Sequence, residues 1–194
     1  MKNLLVLSAF VLFTLFAAKA EDTWSLDASH SNVKFEVTHL VVSTVEGSFK
    51  KFDGTLKSSK ADFSDAVINF TVDINSINTE NEKRDAHLKS DDFFNAEKYP
   101  TMSFKSTSFK PAGKGKYKLT GDLTIRDVTK KVTFDVTFGG TVKDPWGNTK
   151  AGFKAKTKIN RFDYHLKWDS KIETGGLVVS KDVDIMLNVE LKKG

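Results

Sequence analysis

Val67-Ile68-Asn69-Phe70-Thr71-Val72-Asp73-Ile74 places Ile68, Phe70, Val72 and Ile74 on one side of an extended chain and Asn69, Thr71 and Asp73 on the other. A side-chain period of two is that of a strand with one buried face. The same pattern recurs outward from this stretch. Tyr117, Leu119, Leu123 and Ile125 alternate with Lys116, Lys118, Asp122 and Thr124. Val132, Phe134, Val136 and Phe138 alternate with Thr133, Asp135 and Thr137, and Val183, Ile185, Leu187, Val189 and Leu191 form a long row near the C-terminus. Many one-sided strands with a single helix between them hide their apolar faces by closing into a barrel or by stacking as a sandwich, so the fold class is all-β. A closed sheet is apolar inside, and its lumen is either a packed core or a site for an apolar ligand.

Further strands are expected at Thr23 to Asp27, Ser31 to His39, Val41 to Lys50 and Phe52 to Lys60. Glu46-Gly47 suggests a bend or bulge, and Asp53-Gly54 reads either as a turn or as a strand glycine. Thr79 with Glu82 three residues on has the spacing of a capping box, which predicts a short helix over about 80–90 and one helical connection over 79–99 lying against the barrel mouth. Strands resume at Thr101 to Phe109, with Met102 and Phe104 inward. Lys116 to Arg126 and Lys131 to Val142 form a hairpin around Asp127 to Thr129. Ala151 to Arg161 shows lysines outward and Phe153, Ala155 and Ile159 inward; a polar loop over 170–176 precedes a last strand from Leu177 to Leu191.

Leu4 to Ala18 is an uncharged apolar run after Lys2, followed by Ala18-Lys19-Ala20. This reads as a cleaved signal peptide over 1–20, leaving a single domain over 21–194 exported to the periplasm, with secretion as the alternative. The chain has no cysteine, so thiol catalysis, Cys-ligated zinc and disulfides are excluded. A formal net charge of +5, two of whose lysines lie in the leader, is mild. The lysines sit on polar strand faces apart from the aromatics, which argues against nucleic-acid binding and leaves transient contact with a membrane surface as the electrostatic option. Neither a metal site nor a nucleophilic serine is expected. His30, His39, His87 and His165 lack metal-motif spacing, and His30-Ser31 lacks the strand–elbow–helix context.

One constellation runs through the whole of this domain. Trp24-x-Leu26-Asp27-x-x-His30-Ser31 opens it; Gly47-x-Phe49-x-x-Phe52-x-Gly54 and Ser76-Ile77-x-Thr79 follow. Arg84-Asp85-x-His87-Leu88-Lys89-Ser90-x-Asp92-Phe93-Phe94, Tyr99-Pro100, Gly121-Asp122-Leu123-Thr124-Ile125 and Asn160-Arg161-x-Asp163 complete it. The chain resembles the YceI-like family of exported lipid-binding proteins. The resemblance implies a lipocalin-like, eight-stranded antiparallel barrel with an elongated apolar lumen holding an isoprenoid or similar amphiphile, and no other cofactor. Two departures from the family pattern stand out. Asp127 replaces a customary glycine, and Tyr164-His165-Leu166-Lys167-Trp168 is a bulky loop expected to reshape the entrance.

Sixteen phenylalanines against three tyrosines and three tryptophans favour walls without polar tips. The candidate lining is Phe35, Phe49, Phe52, Phe70, Phe93, Phe94, Phe104, Leu123, Phe134 and Phe153, with Leu88 on the helix. His39, Arg84, His87 and Arg161 are the polar candidates at the mouth. There they either hold a ligand head or, for Arg84 and Arg161, pair with a carboxylate and pin the rim. Three readings follow. The first is a non-catalytic carrier for an isoprenoid quinone, polyprenyl phosphate or fatty-amide-like lipid. The second is an enzyme or accessory factor of isoprenoid or quinone chemistry using the His and Arg groups. The third is a solid scaffold for surface interaction or stress response. The sequence leaves homodimerisation open.

Overall fold

The computed structural model describes residues 20–173 and 175–194, so the expected leader lies almost wholly outside the described residues. The strands are β1 (Asp22–Leu26), β2 (Asn32–His39), β3 (Ser43–Phe49), β4 (Phe52–Ser58), β5 (Val67–Asp73), β6 (Ile77–Asn78), β7 (Thr101–Pro111), β8 (Lys116–Ile125), β9 (Val128–Lys143), β10 (Thr149–Asn160) and β11 (Val179–Lys193). Among the described residues one α-helix, α1, spans Glu82–Lys89.

Several of these strands are halves of longer ones. β1 and β2 lie end to end along β11, broken by the 3₁₀ turn Ala28–His30. Likewise β3 continues into β4, and β5 is separated from β6 by the 3₁₀ turn Ile74–Ser76. Counted this way, eight antiparallel strands follow one another in chain order, and β11 pairs with β1 to close the ring. The result is an up-and-down barrel.

Eight strands enclose a space just wide enough to be filled by side chains or to hold one small ligand. The inward glycines tip this balance. A Cβ placed on Gly121 would stand 2.4 Å from Phe104 Cζ and 2.5 Å from the Lys105 carbonyl oxygen. On Gly54 it would meet Phe70 at 2.6 Å, and on Gly47 it would meet Phe35 at 2.2 Å. Each ring is therefore folded over a glycine of the neighbouring strand, an arrangement that restores packing where the glycine has no side chain. The rings spend their bulk at the wall. The expected bend at Gly47 is absent, because β2 and β3 pair without a register shift from Val33–Phe49 to His39–Ser43; the glycine is there to admit the Phe35 ring. Gly54 is likewise a strand residue, paired with Phe70.

One end of the barrel is sealed by the β4–β5 connection. Phe63, only 2% exposed, meets Trp24 at 5.3 Å, Phe153 at 5.3 Å and Phe138 at 5.5 Å between ring centroids. Asp65 organises this connection by accepting hydrogen bonds from the Ser58 and Ser59 hydroxyls. The other end carries α1, the segment 90–100, the β8–β9 turn and the connection from β10 to β11. The helix cap is Asn81, whose side chain accepts from the Arg84 amide at 3.0 Å. Thr79, the expected cap, is buried and instead donates its hydroxyl to Asp85 at 2.6 Å. The β8–β9 turn is tighter than expected, two residues at Arg126-Asp127. Arg126, not Asp127, takes the left-handed conformation (φ 54°), so Asp127 stands where no glycine is required.

Candidate functional site

The lumen holds two adjoining apolar chambers. The inner one, about 130 Å³, lies in the middle of the barrel, and the outer one, about 260 Å³, lies under the helix-bearing end. Val33, Met102, Ile125 and Ile185 border both. Together they reach the lower end of the roughly 300–1,000 Å³ usual for small-molecule sites. The barrel is thus hollow, and the solid-scaffold reading is set aside.

The two chambers divide the residues singled out from sequence. Phe70, Phe104, Leu123, Phe134 and Phe153 border the inner chamber. Phe35, His39, Phe49, Arg84, His87, Leu88, Phe93, Phe94 and Arg161 border the outer one. Phe52 borders neither; its half-buried ring stacks on Phe70 at 6.0 Å, within the smaller core cluster that includes Ile74 and Ile77. Strand alternation also put Leu119, Ala155 and Leu187 inside, where they border the inner chamber. The bulky loop acts as expected: Tyr164, Leu166 and Trp168 wall the outer chamber. Phe63 and Phe109 were not singled out, since neither belongs to a clear alternating row.

The polar groups around the outer chamber are held in different ways. Arg84 donates to the Thr79 hydroxyl at 2.7 Å and to its carbonyl at 2.6 Å, with Asp85 one hydrogen bond further on. It pins α1 to the strand before it through a threonine, not through the direct carboxylate pair expected. His87 Nε2 lies 2.9 Å from Asp92, and its ring stands edge-on to Phe93 and Trp168. Arg161 is 3% exposed. It donates to the carbonyls of Ser180 (2.9 Å), Leu166 (2.8 Å) and Val179 (3.1 Å), and its guanidinium lies over the Phe162 ring at 4.2 Å. Burial pushes its pKa below the usual arginine value, with the negative field of Asp169 opposing.

Above the chamber, Arg126 ties the segments together. It donates to the carbonyls of Asp91, Phe93 and His165 and to the Asp91 carboxylate. Lys167 and Asn95 also donate to Asp91, and these three donors hold its pKa at about 2 against an ordinary 3.8. A carboxyl with a depressed folded-state pKa favours the folded form above its ordinary value and loses that advantage as pH falls through the depressed one. The stability margin of the wild type over Asp91→Asn is therefore expected to be full above about pH 5 and to vanish as pH falls through 2. Unfolding midpoints of the two proteins across this range measure it.

At the opposite end of the barrel, Asp27, His30 and Glu190 lie close enough to hold a cation. Lys150 already occupies that position, donating to Asp27 and Glu190, and the group closes the seam between β1, β10 and β11. Ser31 donates to the Glu190 carbonyl.

The family model for the YceI-like domain matches residues 24–191. The chain belongs to the YceI-like family. Among its relatives, the UPF0312 protein SAS2572 of Staphylococcus aureus is 38% identical over 168 residues, covering 86% of this chain and 95% of that protein. The UPF0312 protein plu2095 of Photorhabdus laumondii is 36% identical over 191 residues, covering 97% and 96%. Of solved structures, the YCEI protein of Campylobacter jejuni is similar at a TM-score of 0.67 with 34% identity over 86% of this chain and 95% of that one. BcnA of Burkholderia cenocepacia reaches 0.74 at 25% identity, covering 85% and 98%. A polyisoprenoid binding domain from Saccharophagus degradans shares the fold at 0.61 and 15% identity, covering 88% and 98%.

Proposed function

We propose that this YceI-like protein is a non-catalytic carrier that holds one long-chain, isoprenoid-type amphiphile in its barrel, in the periplasm. The observation that carries the reading is the pair of adjoining apolar chambers running from the middle of the barrel to the helix-bearing end. Such walls replace the membrane as solvent for a tail: each buried methylene is worth roughly 0.8 kcal/mol, so about a dozen carbons offer on the order of 10 kcal/mol before the cost of association is subtracted. The fold shared with a polyisoprenoid binding domain supports this choice of tail. Binding is favoured over catalysis because Arg84 and His87, two of the groups an enzyme would use, are held by Thr79 and Asp92 in bonds that fix the rim.

A ligand this insoluble has to be collected from a bilayer. The β2–β3 turn suits that contact. Its residues Leu40, Val41 and Val42 are 40%, 70% and 86% exposed, and its neighbours His39 and Val178 border the outer chamber. Leu40 and Val41 both have positive φ (50° and 65°) in a tight turn where Asn-Gly is the unstrained choice. The chain accepts strain and apolar exposure at one spot, which points to a surface used outside water.

Vesicles of phosphatidylethanolamine and phosphatidylglycerol doped with geranylgeraniol provide the test. After incubation and removal of the vesicles, native mass spectrometry is expected to show the protein carrying one prenyl alcohol. Val42→Ser is expected to load about tenfold more slowly to the same final occupancy, as loss of an inserted apolar group would cause. A wild type that stays empty, both from vesicles and on direct addition of geranylgeraniol, overturns the carrier reading.

A further inference from the structure

We propose that the bound amphiphile is an anion whose phosphate or carboxylate head sits in the outer chamber beside Arg161, with the tail in the inner chamber. This rests on the carrier reading and names the chemistry of the head.

The two chambers differ in charge. Among the described residues, no charged side chain borders the inner one. Lys34, His39, Arg84, His87 and Arg161 border the outer one, and among the described residues no aspartate or glutamate does. The chain as a whole has 30 lysines and arginines against 25 aspartates and glutamates. Composition therefore does not account for a lining with basic groups only. A mixed lining would suit a neutral head such as a quinone or an amide; a one-signed lining suits an anion.

Within that set the charges are not equal. Lys34 is exposed to solvent. Arg84 has Asp85 one hydrogen bond away through Thr79, and His87 has Asp92 at 2.9 Å. Arg161 is different. It is almost fully buried, makes no ion pair among the described residues, and is satisfied by three backbone carbonyls. Carbonyl dipoles satisfy donors without cancelling a full charge, and a buried cation without a counter-ion is costly. A guanidinium has five N–H groups, and those three bonds leave one on each terminal nitrogen. Those two N–H groups remain for acceptors such as the oxygens of a phosphate or carboxylate. Asp169 acts on the guanidinium through its field only, without an ion pair, so the ligand's head supplies the contacting counter-ion, and the chamber's apolar walls raise the strength of the pairing by keeping water from it.

Three ligands with one tail separate the possibilities: geranylgeraniol, geranylgeranyl phosphate and geranylgeranoic acid, competed against each other for the delipidated full chain and read by native mass spectrometry. At least one anion is expected to bind about tenfold or more tightly than the alcohol. Preference for the phosphate identifies a polyprenyl phosphate head, and preference for the acid a carboxylate lipid. Arg161→Gln is expected to bring the ratio below about threefold while leaving affinity for the alcohol in place. Arg84→Gln, whose charge is already answered by Asp85, is expected to keep the ratio. Equal or tighter binding of the alcohol by the wild type overturns the proposal and leaves the carrier reading standing. If none of the three binds, both fall. The wild-type comparison decides the matter even if Arg161→Gln fails to fold.

Discussion

Ala155→Phe is expected to lower affinity for geranylgeraniol about 100-fold while leaving the protein as stable as the wild type or slightly more so. Ala155 lies on β10 between Val136 of β9 and Leu187 of β11, and its methyl group borders the inner chamber. Lys154 and Lys156 on either side point outward, so the strand register fixes the new ring inside. The added phenyl has no glycine opposite it to fold over, unlike Phe70 and Phe104, and enters a chamber of about 130 Å³. Phenylalanine is preferred to tryptophan here because an indole N–H would be buried without a partner. Filling a void often stabilises, whereas a tail that relied on the void loses the methylenes it buried there. Titration by native mass spectrometry and an unfolding curve measure the two halves of the prediction. Unchanged affinity would mean that the tail does not use the inner chamber.

The contrast between Ala155 and Phe104 shows where the sequence was informative. Alternation is local, and it identified the inward rows on β5, β8, β9, β10 and β11 because a strand's two faces are decided within a few residues. Whether the enclosed space is hollow depends on pairs that sequence spacing does not reveal. Phe35 needs Gly47, Phe70 needs Gly54 and Phe104 needs Gly121, each on the neighbouring strand. Read singly, Gly47 looked like a bend. Thr79 looked like a cap because its spacing to Glu82 was right, yet Asn81 caps the helix and Thr79 is taken by Asp85 and Arg84. Phe52 shares the parity of Gly54 and Leu56 but lies where β3 passes into β4, where its ring stacks on Phe70 and borders neither chamber. Arg161 was legible as a rim residue. Its three carbonyl partners were not, because they come from the backbone of two other segments, Leu166 and Val179-Ser180.

The same distinction sets the second large effect. Phe63→Ala is expected to destabilise the protein by about 3–5 kcal/mol, as for other buried phenylalanines cut to alanine. Phe63 sits in a connection, not a strand, in the left-handed conformation (φ 58°), and nothing in its local sequence marks it as core. It closes the barrel all the same. Its ring makes edge contacts with Trp24, Phe138 and Phe153, which come from β1, β9 and β10, so one side chain ties the first strand to two late ones. Such aromatic pairs each add roughly 0.5–1.5 kcal/mol beyond area burial. The connection cannot collapse to fill the gap, because the Tyr117 hydroxyl bonds the Asp62 carbonyl at 2.7 Å and Asp65 holds Ser58 and Ser59. Urea unfolding should show a lower midpoint with an unchanged slope, since the folded and unfolded surfaces stay nearly the same. Phe63→Leu should lie between the two. The loss also removes the plug beside Phe153, whose ring borders the inner chamber, so the ligand gains a second exit and should dissociate faster from Phe63→Ala than from the wild type. A cost below about 1 kcal/mol would show that this end is sealed by the strands themselves and that the ring above them is incidental.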